Sequence, residues 1–332
     1  MKRIRIAQIG TSDYSHGSDI WNTLTKYKDL FEVVGYALPE NEREKFPHRM
    51  NAFEGHKEMT VEEILSDPTI EAVTVETEEI YLTKYALMVA RAGKHLHMEK
   101  PGGKSLSDFE TLISLLKEKN LAFSVGYMYR FNPIIKEAIE KALRGDLGKI
   151  FSVEAQMNCK HPPEMREWLK TFPGGMLFFL GCHLIDLIYR IQGEPKKVLP
   201  LSTSTNIDGI SSDDFGMVVY QYENGVSFAK TCDNERGGFS RRQLVISGEK
   251  GTIEIRPLET YCDGVLYTVG GECTSEEWLA EAEMKRSAPF DRYQAMMRHF
   301  AEVVRGKENI YGYDYELGLY KLILRSCGKE LA

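Results

Sequence analysis

The amino-acid sequence predicts two folded units in succession, a doubly wound α/β half followed by an α+β half on an open, mostly antiparallel sheet. Up to Val125, short apolar runs alternate with helical segments, the pattern of parallel strands joined by crossovers. Beyond Gly126, strand-like runs follow one another across hairpin signals, notably Glu223-Asn-Gly225 and Gly248-Glu-Lys-Gly251. A chain of 332 residues also exceeds what one hydrophobic core usually supports. The expected domains are residues 1–125 and 126–332.

Ile4 to Ile9 is the first expected strand, followed by Phe31 to Leu38, Ala72 to Glu76, His95 to Met98 and Leu121 to Val125. The helices between them carry start signals. Thr60-Val-Glu-Glu63 and Ser107-Asp-Phe-Glu110 both fit a capping box, in which hydroxyl and carboxylate reciprocally satisfy exposed amides. A helix is expected from Pro133 to Arg144, stopped by Gly145. Strands are then expected over Ile150 to Met157, Phe215 to Tyr222, Val226 to Thr231, Gln243 to Ile246, Thr252 to Ile255 and Val265 to Val269. One helix, from about Gly175 to Ile191, interrupts them, and helices near Arg292 to Arg305 and Tyr315 to Lys329 come last.

The charge balance narrows the partners. A formal charge of −7 with no dense Lys/Arg block leaves no electrostatic footprint for nucleic acid. No apolar stretch approaches the roughly 20 residues that span a bilayer. Met1-Lys-Arg-Ile-Arg-Ile reads as the start of a strand, not as a leader, so a cytoplasmic protein acting on small molecules is expected. The six cysteines are scattered, with no C-x-x-C pair and no histidines at zinc spacing. Reduced structural thiols and no metal site are the expectation.

The first strand runs into Gly10-Thr11-Ser12-Asp-Tyr-Ser15 and then a helix, which is similar to the glycine turn that brings a pyrophosphate to a helix N-terminus. Only the first glycine is present; Ser12 and Ser15 occupy the places of the other two. A strand-turn-helix holding no ligand has the same outline. At the end of the second strand, where an acid usually meets the ribose hydroxyls, the nearest acid is Glu40, with Arg43 one turn later as a candidate for a 2′-phosphate.

The chemistry concentrates in His95-Leu-His-Met-Glu-Lys-Pro101, where Lys100 follows a buried-strand pattern at the edge where open α/β sheets place their ligands. With Ala92-Gly-Lys-His95, Gly126-Tyr-Met-Tyr-Arg-Phe-Asn-Pro133, Gly174-Gly175, Gly181-Cys-His-Leu-Ile-Asp186 and Gly193-Glu-Pro195, the chain resembles the glucose-fructose oxidoreductase, inositol dehydrogenase and rhizopine catabolism family, Gfo/Idh/MocA, over nearly its whole length. The resemblance implies a Rossmann domain, a second domain on an open antiparallel sheet, NAD or NADP held at the cleft between them, and oxidation of a sugar or cyclitol hydroxyl or its reverse.

On this reading Lys100 orients the hydroxyl oxygen and His183 exchanges its proton, since a base works best with a pKa near the working pH. The cofactor contacts are Gly10, Thr11, Ser12, Thr77, Glu99, Lys100 and Arg130, and the substrate contacts Lys100, Tyr127, Lys160 and His183. Arg130 as a structural anchor and Lys160 as part of a solvated connection are the alternatives, and Trp168 is expected to pack. Many relatives carry an aspartate four residues before the histidine; here Phe179 stands there, leaving Asp186 as a carboxylate able to orient the imidazole. Glu78 and Glu79 follow Thr77 where relatives have a proline and an amide, and would repel a pyrophosphate unless they face solvent or accept ribose hydroxyls.

Two further functional readings stay open on the residues. One is a redox-neutral, cofactor-dependent cleavage of a glycosidic bond. The other is a sugar-responsive regulatory protein on a lapsed dehydrogenase scaffold, since fold does not fix function. A homodimer or homotetramer is expected from the sheet face that the helices leave open.

Overall fold

The structure is a computed structural model that describes residues 2–331. Its first unit is built on five parallel strands, β1 (Ile4–Ile9), β2 (Phe31–Ala37), β3 (Ala72–Val75), β4 (His95–Met98) and β5 (Phe123–Val125), in the order β2-β1-β3-β4-β5. The helices of this part are α1 (Gly17–Lys26), α2 (Glu42–Lys45), α3 (Val61–Ser66), α4 (Leu82–Arg91) and α5 (Leu106–Glu118). All residues of β3 are buried, as befits a strand covered on both faces. Leaving β1 the chain turns to one side for β2, then crosses to the other for β3. The loops after β1 and β3 therefore diverge and leave a crevice at the carboxyl ends, where ligands of such sheets bind.

The capping box at Thr60 is present in full: Thr60 Oγ1 accepts from the Glu63 amide at 3.1 Å, and the Glu63 carboxylate accepts from the Thr60 amide at 2.7 Å. The one expected at Ser107 is not. α5 starts earlier, on Ser105, whose Oγ accepts from the Asp108 amide at 3.3 Å, and Ser107 lies inside its first turn, 3.1 Å from Ser105 Oγ.

The second unit begins with α6 (Pro133–Arg144), capped by Asn132 and ended by Gly145 at φ +82°. It continues through β6 (Ile150–Asn158), α7 (Pro163–Trp168), α8 (Met176–Phe179), α9 (Cys182–Gln192), β7 (Lys197–Thr203), β8 (Phe215–Tyr222), β9 (Gly225–Cys232), β10 (Gln243–Gly248) and β11 (Gly251–Ile255). The short strands β12 (Thr260–Cys262), β13 (Val265–Tyr267), β14 (Val269–Cys273) and β15 (Lys285–Arg286) follow. Eight strands form one sheet in the order β15-β14-β11-β10-β6-β9-β8-β7, antiparallel throughout except for the parallel pair β6–β9. β7 is a strand the sequence pattern hides, because it is an edge with mostly exposed residues and carries Pro200, tolerated where no further neighbour needs its amide.

The single helix expected over Gly175 to Ile191 is interrupted between α8 and α9 at Leu180 and Gly181. A Cβ at Gly181 would lie 2.5 Å from the Leu177 carbonyl oxygen, so the backbones approach too closely for any other residue. The last helices are α10 (Gln294–Val304) and α11 (Tyr313–Ser326). Tyr293–Tyr320 returns to the first unit, so the compact units are 1–127 with 293–320 and 128–292 with 321–332, not two uninterrupted halves. The reason lies in α10, whose apolar face of Met296, Met297, Phe300 and Ala301 is buried, with Phe300 5.7 Å from the His97 ring of β4. Among the described residues no helix is long and apolar enough to cross a membrane.

Candidate active site

The carboxyl ends of β1, β3 and β4 gather the cofactor candidates of the first unit. Gly10 turns at φ +90°, and a Cβ there would stand 2.4 Å from Thr77 Cγ2, so a side chain would close the loop against the one after β3. Gln8 fixes this turn by donating to the carbonyls of Gly10 and Gly17 at 3.0 and 2.9 Å. Ser12 and Ser15 do more than replace glycines: Ser15 Oγ accepts from the Ser12 amide at 3.0 Å while Ser12 Oγ accepts from the Ser15 amide at 2.9 Å. Close packing of α1 on the loop falls to Gly17, where a Cβ would come within 2.9 Å of Thr11 Cα.

The acid at this loop is Glu42, which the reading of the β2 end overlooked. Glu40 and Asn41 both adopt positive φ, near +60°, and curl the chain back so that Glu42 Oε2 accepts from the Thr11 amide at 3.2 Å. Glu40 itself faces away, holding Lys84 and the Tyr85 hydroxyl, and Arg43 is engaged by Glu58 and by Tyr36. Glu42 is fully buried, its Oε1 has no hydrogen-bond partner among the described residues, and burial pushes its carboxyl group up to about 9. A buried carboxyl oxygen without a partner beside a glycine turn fits the hydroxyls of a dinucleotide ribose, which both donate and accept. The residues present thus fit a nicotinamide dinucleotide.

Lys100 is 1% exposed, and its Nζ lies 3.6 Å from Glu79 Oε1. The pair Glu78-Glu79 does not face solvent: Glu79 is fully buried, and Glu78 is mostly buried with Lys45 at 3.3 Å. Glu99 accepts from the Lys100 amide through Oε1 at 2.8 Å and from the His16 amide through Oε2 at 3.0 Å, with His16 Nδ1 2.8 Å from the same oxygen. Burial alone would raise the Glu99 carboxyl group, but His16 and Lys100 hold it well below the usual carboxylate range. Glu76, sealed behind it, is driven well above that range by burial and by the Glu99 charge. His16 had no signal in the sequence, because it is brought to Glu99 by the turn ahead of α1 and not by any spacing.

Burial pushes Glu79 up to about 8 against the opposing pull of Lys100. Folded Glu79 therefore keeps a proton that the unfolded chain releases at ordinary carboxylate pKa. The stability carried by that proton is fully present below the unfolded pKa and is lost as pH rises through about 8, at about 1.4 kcal/mol per pH unit for one proton. The melting temperature of the cofactor-free protein is expected to fall between about pH 5 and about pH 8, where Glu42 adds to the fall, and Glu79→Gln to make that fall less steep. Thermal scans across pH check this; a wild-type slope in Glu79→Gln would show that Glu79 does not titrate there.

In the second unit His183 lies near the start of α9, 1% exposed, with its ring 5.2 Å from that of Tyr129 in an edge-on arrangement. Tyr129 is a neighbour the sequence reading passed over in favour of Tyr127, which is buried beside β5 in the first unit. The Tyr129 hydroxyl donates to Glu259 Oε2 at 2.9 Å, and Arg292 holds the same carboxylate at 2.7 and 2.9 Å. Asp186 does not serve the imidazole as its orienting carboxylate: it grips the buried Arg130, with Nε 3.0 and 2.9 Å from its two oxygens and Nη2 2.7 Å from Oδ1. That geometry suits the structural anchor considered as the alternative for Arg130. Phe179 packs its ring 5.3 Å from Trp168, so an aromatic cluster fills the place of the relatives' aspartate. Lys160 is exposed, with Nζ 3.4 Å from Asn234 Oδ1.

Two models of one family match the chain: the oxidoreductase family NAD-binding Rossmann fold over residues 4–127 and the GFO/IDH/MocA C-terminal domain over residues 135–254. Trans-1,2-dihydrobenzene-1,2-diol dehydrogenase of Mus musculus is 25% identical over 232 residues, 68% of this chain and 67% of the relative. The 1,5-anhydro-D-fructose reductase of Ensifer adhaerens is 22% identical over 283 residues, 83% of this chain and 84% of its own. A 3-ketoreductase of Actinomadura kijaniata, solved with NADP and TDP-benzene, superposes with a TM-score of 0.78 at 17% identity over 97% of this chain and 96% of that one, a likeness of fold. With both halves matched in order and a buried lysine at the end of β4, the chain belongs to the Gfo/Idh/MocA family of NAD(P)-dependent oxidoreductases.

Proposed function

We propose that this protein transfers hydride between a nicotinamide and a sugar, cyclitol or related polyhydroxy substrate. The observation that carries the proposal is Lys100, fully buried at the carboxyl end of β4 with its ammonium beside Glu79. Gly10, Thr11 and Ser12 would hold the dinucleotide at the turn, with Glu42 accepting from ribose hydroxyls and Thr77 and Glu99 bordering the nicotinamide side. The nicotinamide supplies the hydride acceptor when bound. Lys100 donates a hydrogen bond to the substrate oxygen and stabilises the charge that develops as the hydroxyl loses its proton. His183 takes that proton, and Tyr129 packs against the imidazole at a fixed angle. Tyr127 and Lys160 serve substrate hydroxyls. Relatives named for a dihydrodiol and an anhydro sugar support a vicinal, oxygen-rich substrate class.

Calorimetric titration of the purified chain with NAD⁺ and NADP⁺ tests the proposal most directly. Saturable one-to-one binding of one of them is expected, weakened in Glu42→Gln. Binding of neither would move the protein to the class of lapsed scaffolds.

Self-association across the outer face of the eight-stranded sheet is part of the same proposal. Leu199 and Leu201 of β7, paired with Val219 and Met217, leave apolar surface exposed there. Light scattering is expected to give at least a dimer, and a monomeric mass would refute that assembly.

A further inference from the structure

Cys159, His161 and Asp233 come together where β6 and β9 end. The two strands run parallel and their last paired residues are Asn158 and Cys232, so the next residues, Cys159 and Asp233, lie side by side. The register persists beyond the strands: the Cys159 amide donates to the Cys232 carbonyl at 2.9 Å and the His161 amide to the Asp233 carbonyl at 3.2 Å. In extended chain, residues two apart share a face, which puts Cys159 and His161 on the side of Asp233. Cys159 Sγ is 3.4 Å from His161 Nδ1 and 3.3 Å from Asp233 Oδ1, and Asp233 Oδ1 is in direct contact with His161 Nδ1. Asp233 is fully buried, and its second oxygen, Oδ2, has no hydrogen-bond partner among the described residues.

A buried carboxylate with an unsatisfied oxygen is costly unless something compensates it. One use of a thiol, an imidazole and an acid is a nucleophilic relay, but there the sulfur and the carboxylate occupy opposite ring nitrogens. Here Cys159 Sγ is 3.4 Å from Nδ1 and 3.7 Å from Nε2 while Asp233 Oδ1 contacts Nδ1, so sulfur and carboxylate do not hold opposite ring nitrogens, and one donor atom from each residue falls within a single ligand sphere. Zinc bonds of about 2.3 Å to sulfur and about 2.0–2.2 Å to nitrogen or oxygen set tetrahedral ligand edges of about 3.5 Å. Both edges from Cys159 Sγ match, and the third, from His161 Nδ1 to Asp233 Oδ1, is a shorter hydrogen-bond contact that an ion entering between them would replace.

We propose that Cys159, His161 and Asp233 bind a zinc ion, held by one sulfur, one nitrogen and one oxygen. The mixed donor set suits zinc and not the all-oxygen preference of magnesium or calcium. His161 keeps about a quarter of its side chain exposed, at 26%, and the fourth ligand is water or an oxygen donor. The ion pins the ends of β6 and β9 together. The spacing Cys159-Lys-His161 is shorter than the zinc patterns sought in the sequence, and its third member is 72 residues further along.

The test uses the full chain, free of any histidine tag and stripped by chelation, titrated with Zn²⁺ against a chromophoric chelator. One saturable site per chain is expected, with a higher melting temperature in zinc, and Co²⁺ in its place should give a thiolate-to-cobalt charge-transfer band. Cys159→Ser should abolish that band, and His161→Ala, at a partly exposed position, should weaken Zn²⁺ binding by more than about 100-fold, beyond the loss typical of an outer partner. Unchanged far-ultraviolet dichroism of both variants separates lost ligation from lost fold. Absence of a stoichiometric site, a cobalt spectrum without charge transfer, or wild-type affinity in both variants would overturn the proposal.

Discussion

Replacing Lys100 by methionine is expected to lower turnover by about 10²–10⁴-fold while leaving the protein folded, the range typical of a group that handles the reacting proton and oxygen. Methionine fills much the same volume in a site that is 1% exposed. The cation it removes stands beside Glu79, which burial already pushes up to about 8, so that carboxyl group keeps its proton, while the buried Glu99 carboxylate retains His16 and the backbone amide of residue 100. Cofactor reduction with a panel of cyclitols, aldoses and anhydro sugars measures the loss, and a thermal scan checks the fold. Retained turnover would remove Lys100 from the mechanism. His183→Asn should be severe as well and should erase one limb of the pH–rate profile; an unaltered profile would end its role as the acid/base.

Asp186→Asn is expected to be the most damaging single change to stability. Arg130 and Asp186 are both at most 2% exposed and are joined by a two-pronged contact. Removing the charge of one partner breaks a buried, charge-assisted pair, a change that costs about 3–5 kcal/mol. Denaturant unfolding of the wild type and the variant measures it. A difference below about 1 kcal/mol would mean that the guanidinium finds another anion, and would return Arg130 to the cofactor contacts.

The outline of the fold was legible because its signals are local. Period-two and continuous apolar runs marked β1 through β5 within a residue or two, and Thr60 with Glu63 marked the start of α3. Errors arose where a distant contact overrode a local pattern. The run from Gly175 to Ile191 reads as one helix, yet Gly181 must come so close to the Leu177 carbonyl that the helix breaks ahead of His183. Tyr293–Tyr320 follows the second unit in the chain but buries its apolar face on the first, a choice that hydrophobicity alone does not direct.

The site divides in the same way. Lys100 and His183 stood out through the motifs around them, while Glu42, His16 and Tyr129 did not, since each is delivered by a turn or a tertiary contact. Two left-handed residues return Glu42 to Thr11, and Glu99 draws in His16 from 83 residues away. Asp186, one turn from His183, suggested a helper for the imidazole, but the stronger partner for a buried carboxylate is a buried guanidinium.

By itself the sequence determined two units, their parallel and antiparallel sheets, the family and the lysine at the end of β4, because apolar periodicity and contiguous motifs are properties of neighbouring residues. Only the tertiary structure decided which carboxyl groups are buried, which are paired and which keep a proton, because those depend on what the fold brings within a few ångströms. Glu79 against Lys100, Asp186 against Arg130 and Asp233 against Cys159 and His161 are all pairings between residues distant in sequence.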